Sequence, residues 1–255
     1  MINNGLMIKG VSKSFNGFFA VKDVTAVFLP GRISALIGPN GAGKTTLFHI
    51  IAGELKPDKG KILYQGDDIT GLPPWKIGKK KIGRLFQDVR VFKNMTVLEN
   101  VLCSLFSSKE ESLFFCFYPK KKRFMEIAIK NAKDFLKLVG LEKEESKKAG
   151  ELSFGQQKLL AIARLLALGA QVFLLDEPTA GLSVSMRDRL LELLKRIVAE
   201  DEKKIVVIVE HNMSVVLNIA HWVYFMNEGR ISFFGRADHV LGAKEVREMY
   251  LGLSA

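Results

Sequence analysis

Ile33-Ser34-Ala35-Leu36-Ile37-Gly38-Pro39-Asn40-Gly41-Ala42-Gly43-Lys44-Thr45-Thr46 is the stretch on which the fold turns. A short apolar run stops at a glycine, and the text that follows matches G-x-x-x-x-G-K-[ST] between a strand and a helix. Each residue type has a physical reason. Gly38, Gly41 and Gly43 let the backbone curl, so that the N–H groups of the loop, those of Asn40 and Ala42 included, form a nest for phosphate oxygens. A helix starting near Gly43 points the positive end of its dipole at the same anion. Lys44 can reach the β- and γ-phosphates, the Thr45 hydroxyl can ligate Mg²⁺ and Thr46 can bond an α-phosphate oxygen. The plain alternative is a glycine-rich turn with an incidental lysine. The flanking strand and helix, and the carboxylates further on, favour a nucleoside triphosphate site.

Three more apolar runs end abruptly in polar residues: Ile82 to Phe86 before Gln87, Val172 to Leu175 before Asp176, and Ile205 to Val209 before Glu210. Near-continuous apolar runs of this length predict strands buried on both faces, as in a parallel sheet. In open α/β sheets the ligand sits beyond the carboxyl ends of the strands. Those ends carry Gly38, Gln87, Asp176, Glu177 and His211. Asp176 can hold Mg²⁺, and Glu177 can accept a proton from the attacking water or orient it. Gln87 can coordinate Mg²⁺ or hold water without adding charge, and His211 can bond the γ-phosphate. Taken singly, each also reads as an ordinary loop residue after a strand. His49, His221 and His239 fall in no recognisable arrangement and read as background.

Outside these runs, Leu6 to Val11 and Val21 to Phe28 alternate in polarity and predict antiparallel strands. Residues 88 to 150 read mostly as helix and loop, a helical insertion. Within it Phe124, Ala128, Ala132, Phe135, Leu136 and Val139 keep helical spacing, with Gly140 as the C-terminal cap. Leu190, Leu191, Leu194, Ile197 and Val198 predict a second amphipathic helix. Ser153-Phe154-Gly155-Gln156 is a capping box opening a helix through Leu168, and a helix start with small residues is also an anion site. Val223 to Phe234 reads as a hairpin before a last helix.

A chain of 255 residues buries a core without disulfides. Cys103 and Cys116 form no CxxC pair, which fits a reducing compartment. No signal peptide is expected at Met1, and the apolar stretches fall short of the roughly 18 residues that span a bilayer. The expectation is a soluble chain that touches a membrane only through a partner or its surface. The net charge of +11 calls for an anionic partner. No nucleic-acid fold or aromatic–basic interleaving appears, so nucleic acid is not expected.

In this order, GPNGAGKTT resembles the Walker A motif, Gln87 the Q-loop, LSFGQQ the signature motif, VFLLDEP the Walker B motif and His211 the switch histidine of ABC transporter ATP-binding subunits. The resemblance spans Leu6 to Gly252. It implies an α/β fold of the P-loop NTPase (RecA-like) type: a mostly parallel sheet core with an N-terminal antiparallel β subdomain and a helical subdomain. The expected layout is a single domain, with β subdomain and core over about 1–87, helical insertion over about 88–164, and core with C-terminal helix over about 165–255. The resemblance further implies an ATPase using ATP and Mg²⁺, at the cytoplasmic face of the cell membrane beneath integral permease subunits. A second ATP-binding subunit, identical or homologous, would pair head-to-tail, so that Ser153, Gly155 and Gln156 meet the partner's nucleotide. Phe15 takes the position of the aromatic that stacks on adenine; a buried strand-end aromatic is the plain alternative.

Within the family the text is similar to subunits energising branched-chain amino-acid uptake, through Leu85 to Phe92, the aromatic Phe154, Glu210-His211-Asn212-Met213 and Met249-Tyr250-Leu251-Gly252. Lipopolysaccharide-export subunits share much of this, and a non-transport single-domain ATPase, as in iron–sulfur assembly, is a further alternative. A P-loop small-molecule kinase would leave LSFGQQ and His211 without purpose. Two departures stand out: Phe154 where most signatures have glycine, and Ser183 where the D-loop aspartate is usual. Lys79-Lys80-Lys81 and Lys120-Lys121-Lys122-Arg123, the latter after Leu113 to Tyr118, read as solvated faces or as contacts for a permease loop or anionic lipid.

Overall fold

Alternating polarity from Leu6 onward builds a long hairpin: β1 (Leu6–Phe15) and β2 (Phe18–Phe28) pair antiparallel from Leu6↔Phe28 to Phe15↔Phe18. Asn16 and Gly17 join them with φ of 50° and 85°, the left-handed pair whose twist matches that of the strands. The computed structural model describes residues 5–105, 121–243 and 246. The apolar stretch Leu113 to Tyr118, Cys116, Lys120 of the second basic run and the tail Met249 to Gly252 lie outside them.

From the hairpin the chain enters β3 (Arg32–Ile37), the glycine loop and α1 (Lys44–Ile51). β4 (Lys59–Tyr64), β5 (Asp67–Asp68), α2 (Pro74–Lys79), β6 (Ile82–Leu85), α3 (Val97–Leu105), α4 (Lys121–Val139) and α5 (Phe154–Ala167) follow. Then come β7 (Val172–Asp176), α6 (Val184–Glu200), β8 (Ile205–Val209), α7 (Met213–Ile219), β9 (Trp222–Asn227), β10 (Arg230–Gly235) and α8 (Ala237–Gly242). One sheet has the order β2-β1-β4-β5 and is antiparallel; the other has the order β10-β9-β3-β8-β7-β6. In the second, β3 runs parallel to β8 and β9, and β7 parallel to β8, while β10 closes one edge antiparallel. Every residue of β7 and of β8 is buried, as expected for strands covered on both faces. The run Ile82 to Phe86 is a residue shorter than expected, since β6 ends at Leu85.

The chain divides into two compact units: 1–84, 171–178 and 194–255 form the first, 85–170 and 179–193 the second. In the first, one apolar cluster joins both sheets to α1, with Leu6, Ile8, Phe28, Leu36, Phe48, Val207 and Met226 at its heart. Truncating a side chain such as Phe48 to alanine costs about 3–5 kcal/mol in a core of this kind. The second unit packs α3, α4 and α5 against one another. Thr96 and Glu99 form a capping box on α3, and Ser153 with Gln156 forms another on α5. Gly140 ends α4 at φ 70°. Its N–H donates to Lys137 O and that of Leu141 to Leu136 O, the paired bonds of a Schellman stop. Among the described residues no helix is long and apolar enough to cross a membrane.

Candidate active site

The buried β3 delivers Gly38 against β9. A Cβ at Gly38, where φ is 148°, would lie 2.0 Å from Met226 O, and one at Gly43, where φ is 98°, would lie 2.0 Å from Ala20 O. Neither position admits a side chain, so glycine is required there by contact as well as by conformation. Gly41 has φ of 80° and open space around it. Gly229 N–H donates to Ala42 O at 3.1 Å and Lys22 N–H to Gly229 O at 2.8 Å, which keys the loop to β2 and to the turn after β9. Asn40, Gly41 and Thr45 are exposed, Thr46 half-buried. No side chain caps the start of α1, so its first N–H groups have no competing acceptor from a cap. Lys44 is buried, and its Nζ donates to Gly38 O at 2.7 Å and Pro39 O at 2.8 Å. Burial lowers its pKa, against the opposing pull of Glu177 and Asp176.

Asp176, at the end of β7, is 2% exposed. Burial raises its pKa, and the Arg84 guanidinium works against that rise. Arg84 Nη2 donates to Asp176 Oδ2 at 3.1 Å and Nη1 to Glu54 Oε1 at 3.2 Å. Glu54 Oε2 in turn faces His49 Nδ1 at 3.5 Å. The sequence alone does not single out Arg84 or Glu54, and in it His49 reads as background. The signal was an arginine inside an apolar strand, a position that demands a countercharge. Glu177 adopts φ of 47°, an uncommon left-handed conformation for a side chain of its size. Its N–H donates to Val209 O at 3.0 Å, and its Oε1 lies 3.0 Å from His211 Nε2. His211 lies two residues past the end of β8, and Asn212 then caps α7 through the N–H groups of Ser214 and Val215.

The first unit thus brings Lys44, Thr45, Asp176, Glu177 and His211 to the carboxyl ends of β3, β7 and β8. Phe15 sits at its hairpin tip, 46% exposed, with Lys13 Nζ 5.6 Å from the ring centroid. Gln87, Ser153, Gly155 and Gln156 belong to the second unit. Gln87 is exposed, and the segment after it is firmly held: Arg164 donates to Arg90 O at 2.7 Å and covers the Phe92 ring. The buried Asn100 accepts from Phe92 N–H at 2.9 Å and donates to Phe92 O and Thr96 O, both at 3.0 Å. At the start of α5, Ser153 N–H donates to Gln156 Oε1 at 3.0 Å while Ser153 Oγ accepts from Gln156 N–H at 3.3 Å. A Cβ on Gly155 would meet Leu182 and Met186 at 3.0 Å, and one on Gly181 would meet Phe154 at 3.2 Å. Lys158 Nζ donates to Ala180 O at 2.7 Å beneath the Phe154 ring. The aromatic signature therefore packs as one piece with the 180–182 loop, and Ser183 Oγ accepts from Met186 N–H at 3.4 Å to cap α6.

Among the described residues no three His, Cys, Asp or Glu side chains cluster to hold a metal ion. Thr45 and Asp176 instead offer hard oxygen donors beside a phosphate loop. That suits Mg²⁺, which keeps waters and takes phosphate oxygens rather than an all-protein cage.

The ABC transporter family matches residues 21–180. The high-affinity branched-chain amino acid transport ATP-binding protein LivG of Escherichia coli (strain K12) is 33% identical over 249 residues, 97% of each chain. The ADP conformation of MJ1267, an ATP-binding cassette of an ABC transporter, superposes with a TM-score of 0.82 at 33% identity, covering 97% of this chain and 98% of that one. A dimeric post-hydrolysis cassette, MJ0796 bound to ADP and Pi, gives a TM-score of 0.76 at 27% identity, covering 91% of this chain and 98% of that one. With likeness of sequence and backbone running from end to end, and a phosphate loop built as its glycines require, the chain belongs to the ABC transporter family as an ATP-binding subunit, an ATPase.

Proposed function

We propose that this ATPase energises the uptake of branched-chain or related amino acids, working as a pair of ATP-binding chains at the cytoplasmic face of the membrane, beneath integral permease subunits. The observation that carries the substrate class is the end-to-end likeness to LivG. The dimeric cassette bound to ADP and Pi supports the pairing.

In this mechanism the loop amides from Gly38 to Gly43 and the Lys44 ammonium bind the β- and γ-phosphates, and Thr46 the α-phosphate. Thr45 and Asp176 would hold Mg²⁺, which when bound would neutralise charge on the phosphate oxygens. Glu177 orients the attacking water and takes its proton. His211, in contact with that carboxylate, steadies the γ-phosphate as charge redistributes. Ser153, Gly155 and Gln156 of one copy face the nucleotide of the other, so hydrolysis requires both chains. Phe15 stacks on adenine.

Deleting the gene should abolish uptake of radiolabelled leucine at low concentration. The wild-type chain should restore it, the Glu177→Gln chain should not, and permease subunits should co-purify. Leucine uptake that is indifferent to the deletion would overturn the substrate class, and a defect in lipid export or iron–sulfur assembly would point to the other branches.

A further inference from the structure

Arg84 is the next-to-last residue of β6 with its side chain 6% exposed, between Asp176 at 2% and Glu54 at 25%. We infer that Arg84 is a positioning residue for the metal: its guanidinium takes Asp176 Oδ2, leaving Oδ1 for the ion, and ties that carboxylate through Glu54 to the far end of the helix that begins with Lys44 and Thr45. The inference rests on the proposed role of Asp176 as a metal ligand.

Three observations carry it. A buried ion pair adds little net stability, because desolvation cancels most of the attraction. Stability alone is thus a poor reason for Arg84 and Asp176 to be there. The two arms of the guanidinium also go to different carboxylates, at 3.2 Å and 3.1 Å, a planar fork that the single ammonium of lysine cannot reproduce. Finally, Glu54 is anchored just past α1: its N–H donates to His49 O at 2.9 Å and its Oε2 faces His49 Nδ1. Eight helical residues span about 12 Å, so α1 is a short rigid strut with Thr45 near one end and Glu54 just past the other, from which the Arg84 guanidinium leads across to Asp176. The two protein oxygens proposed for the metal lie on separate elements, and Arg84 links them.

The test uses Mn²⁺ as a paramagnetic probe, titrated by electron paramagnetic resonance into the intact protein with saturating ADP, so that turnover plays no part. Asp176→Asn should weaken Mn²⁺ binding; if it does not, the metal reading of Asp176 fails, whatever Arg84 does. Given that loss, Arg84→Gln should weaken Mn²⁺ by about tenfold or more, the usual effect of removing a hydrogen-bond partner from a ligating carboxylate. ADP affinity in excess chelator should stay unchanged. Arg84→Lys, which keeps the charge and loses the fork, should recover only part of the loss. Glu54→Gln, which leaves Arg84 in place, should weaken Mn²⁺ in the same direction by less, and it carries the test should Arg84→Gln fail to fold. Wild-type or tighter Mn²⁺ binding in folded Arg84→Gln, or in Glu54→Gln, would overturn the inference.

Discussion

His211 Nε2 sits 3.0 Å from Glu177 Oε1, and Glu177 reaches it from a left-handed backbone at φ 47°. Holding a non-glycine residue there costs about 1–3 kcal/mol. The N–H bond to Val209 O on the neighbouring strand helps offset that cost. The strain sets the carboxylate beside the histidine at the strand ends. Glu177→Gln keeps the shape and removes the proposed base. Phosphate release should fall about 100-fold or more, while equilibrium binding of ATP persists. His211→Ala should also slow release, and the double variant should be scarcely slower than the worse single one, as for residues that act as a unit. Normal turnover in Glu177→Gln would show that another group positions the water.

Lys44 is held by two loop carbonyls within the phosphate loop. Lys44→Ala removes the ammonium that would transfer to phosphate oxygens. A hydrogen bond to a charged group is worth about 1.5–3 kcal/mol, so nucleotide affinity measured by calorimetry should fall roughly 10- to 100-fold. Unchanged affinity would contradict the phosphate-loop assignment.

Gly41 and Gly43 should behave differently in urea unfolding. Both have left-handed φ, and alanine there costs about 1–2 kcal/mol from backbone strain. At Gly43 the new methyl would also overlap Ala20 O at 2.0 Å, a backbone atom in β2, whereas Gly41 faces open space. Gly43→Ala should therefore lose about 3 kcal/mol or more, with Gly41→Ala near the strain value alone. Equal losses would mean that β2 yields to the methyl.

Asp58 pins the hairpin beneath Phe15: Lys13 Nζ donates to it at 2.7 Å, Ser14 N–H at 2.8 Å and Ser14 Oγ at 3.0 Å. Chiefly through the Lys13 bond, its pKa falls from 3.8 to about 2. Because the folded value is the lower one, the carboxylate supports the hairpin above the unfolded value and loses that support as the pH falls through about 2. The Ser14 amide resonance should titrate with a midpoint of about 2, and Asp58→Asn should abolish the transition. A midpoint at 3.8 would mean that these bonds do not persist in solution.

Much of the site was legible because the forces that shape it act over a few residues. The glycine loop, the Ser153/Gln156 box, the Gly140 stop and the buried runs of β3, β7 and β8 follow from local conformational preference and from burial on both faces. Arg84 was hidden for the opposite reason. Glu54 follows α1 and Asp176 ends β7, far apart in the chain, and nothing near Ile82-Gly83-Arg84 names either of them. Lys158 with Ala180, and Phe154 with Gly181, were invisible for the same cause: the 179–193 segment belongs to the second unit, although the strand that precedes it belongs to the first.

The amino-acid order by itself determined the glycine loop before Lys44 and the polar residues that end the buried strands, because a loop of glycines before a lysine has few backbone solutions and an apolar run must be buried. Only the tertiary structure decided that β3, β8, β7 and β6 lie side by side, that a guanidinium joins Glu54 to Asp176 and that His211 touches Glu177. Those pairings depend on how separate strands stack, and that choice is made by the summed burial of the whole core rather than by any one segment.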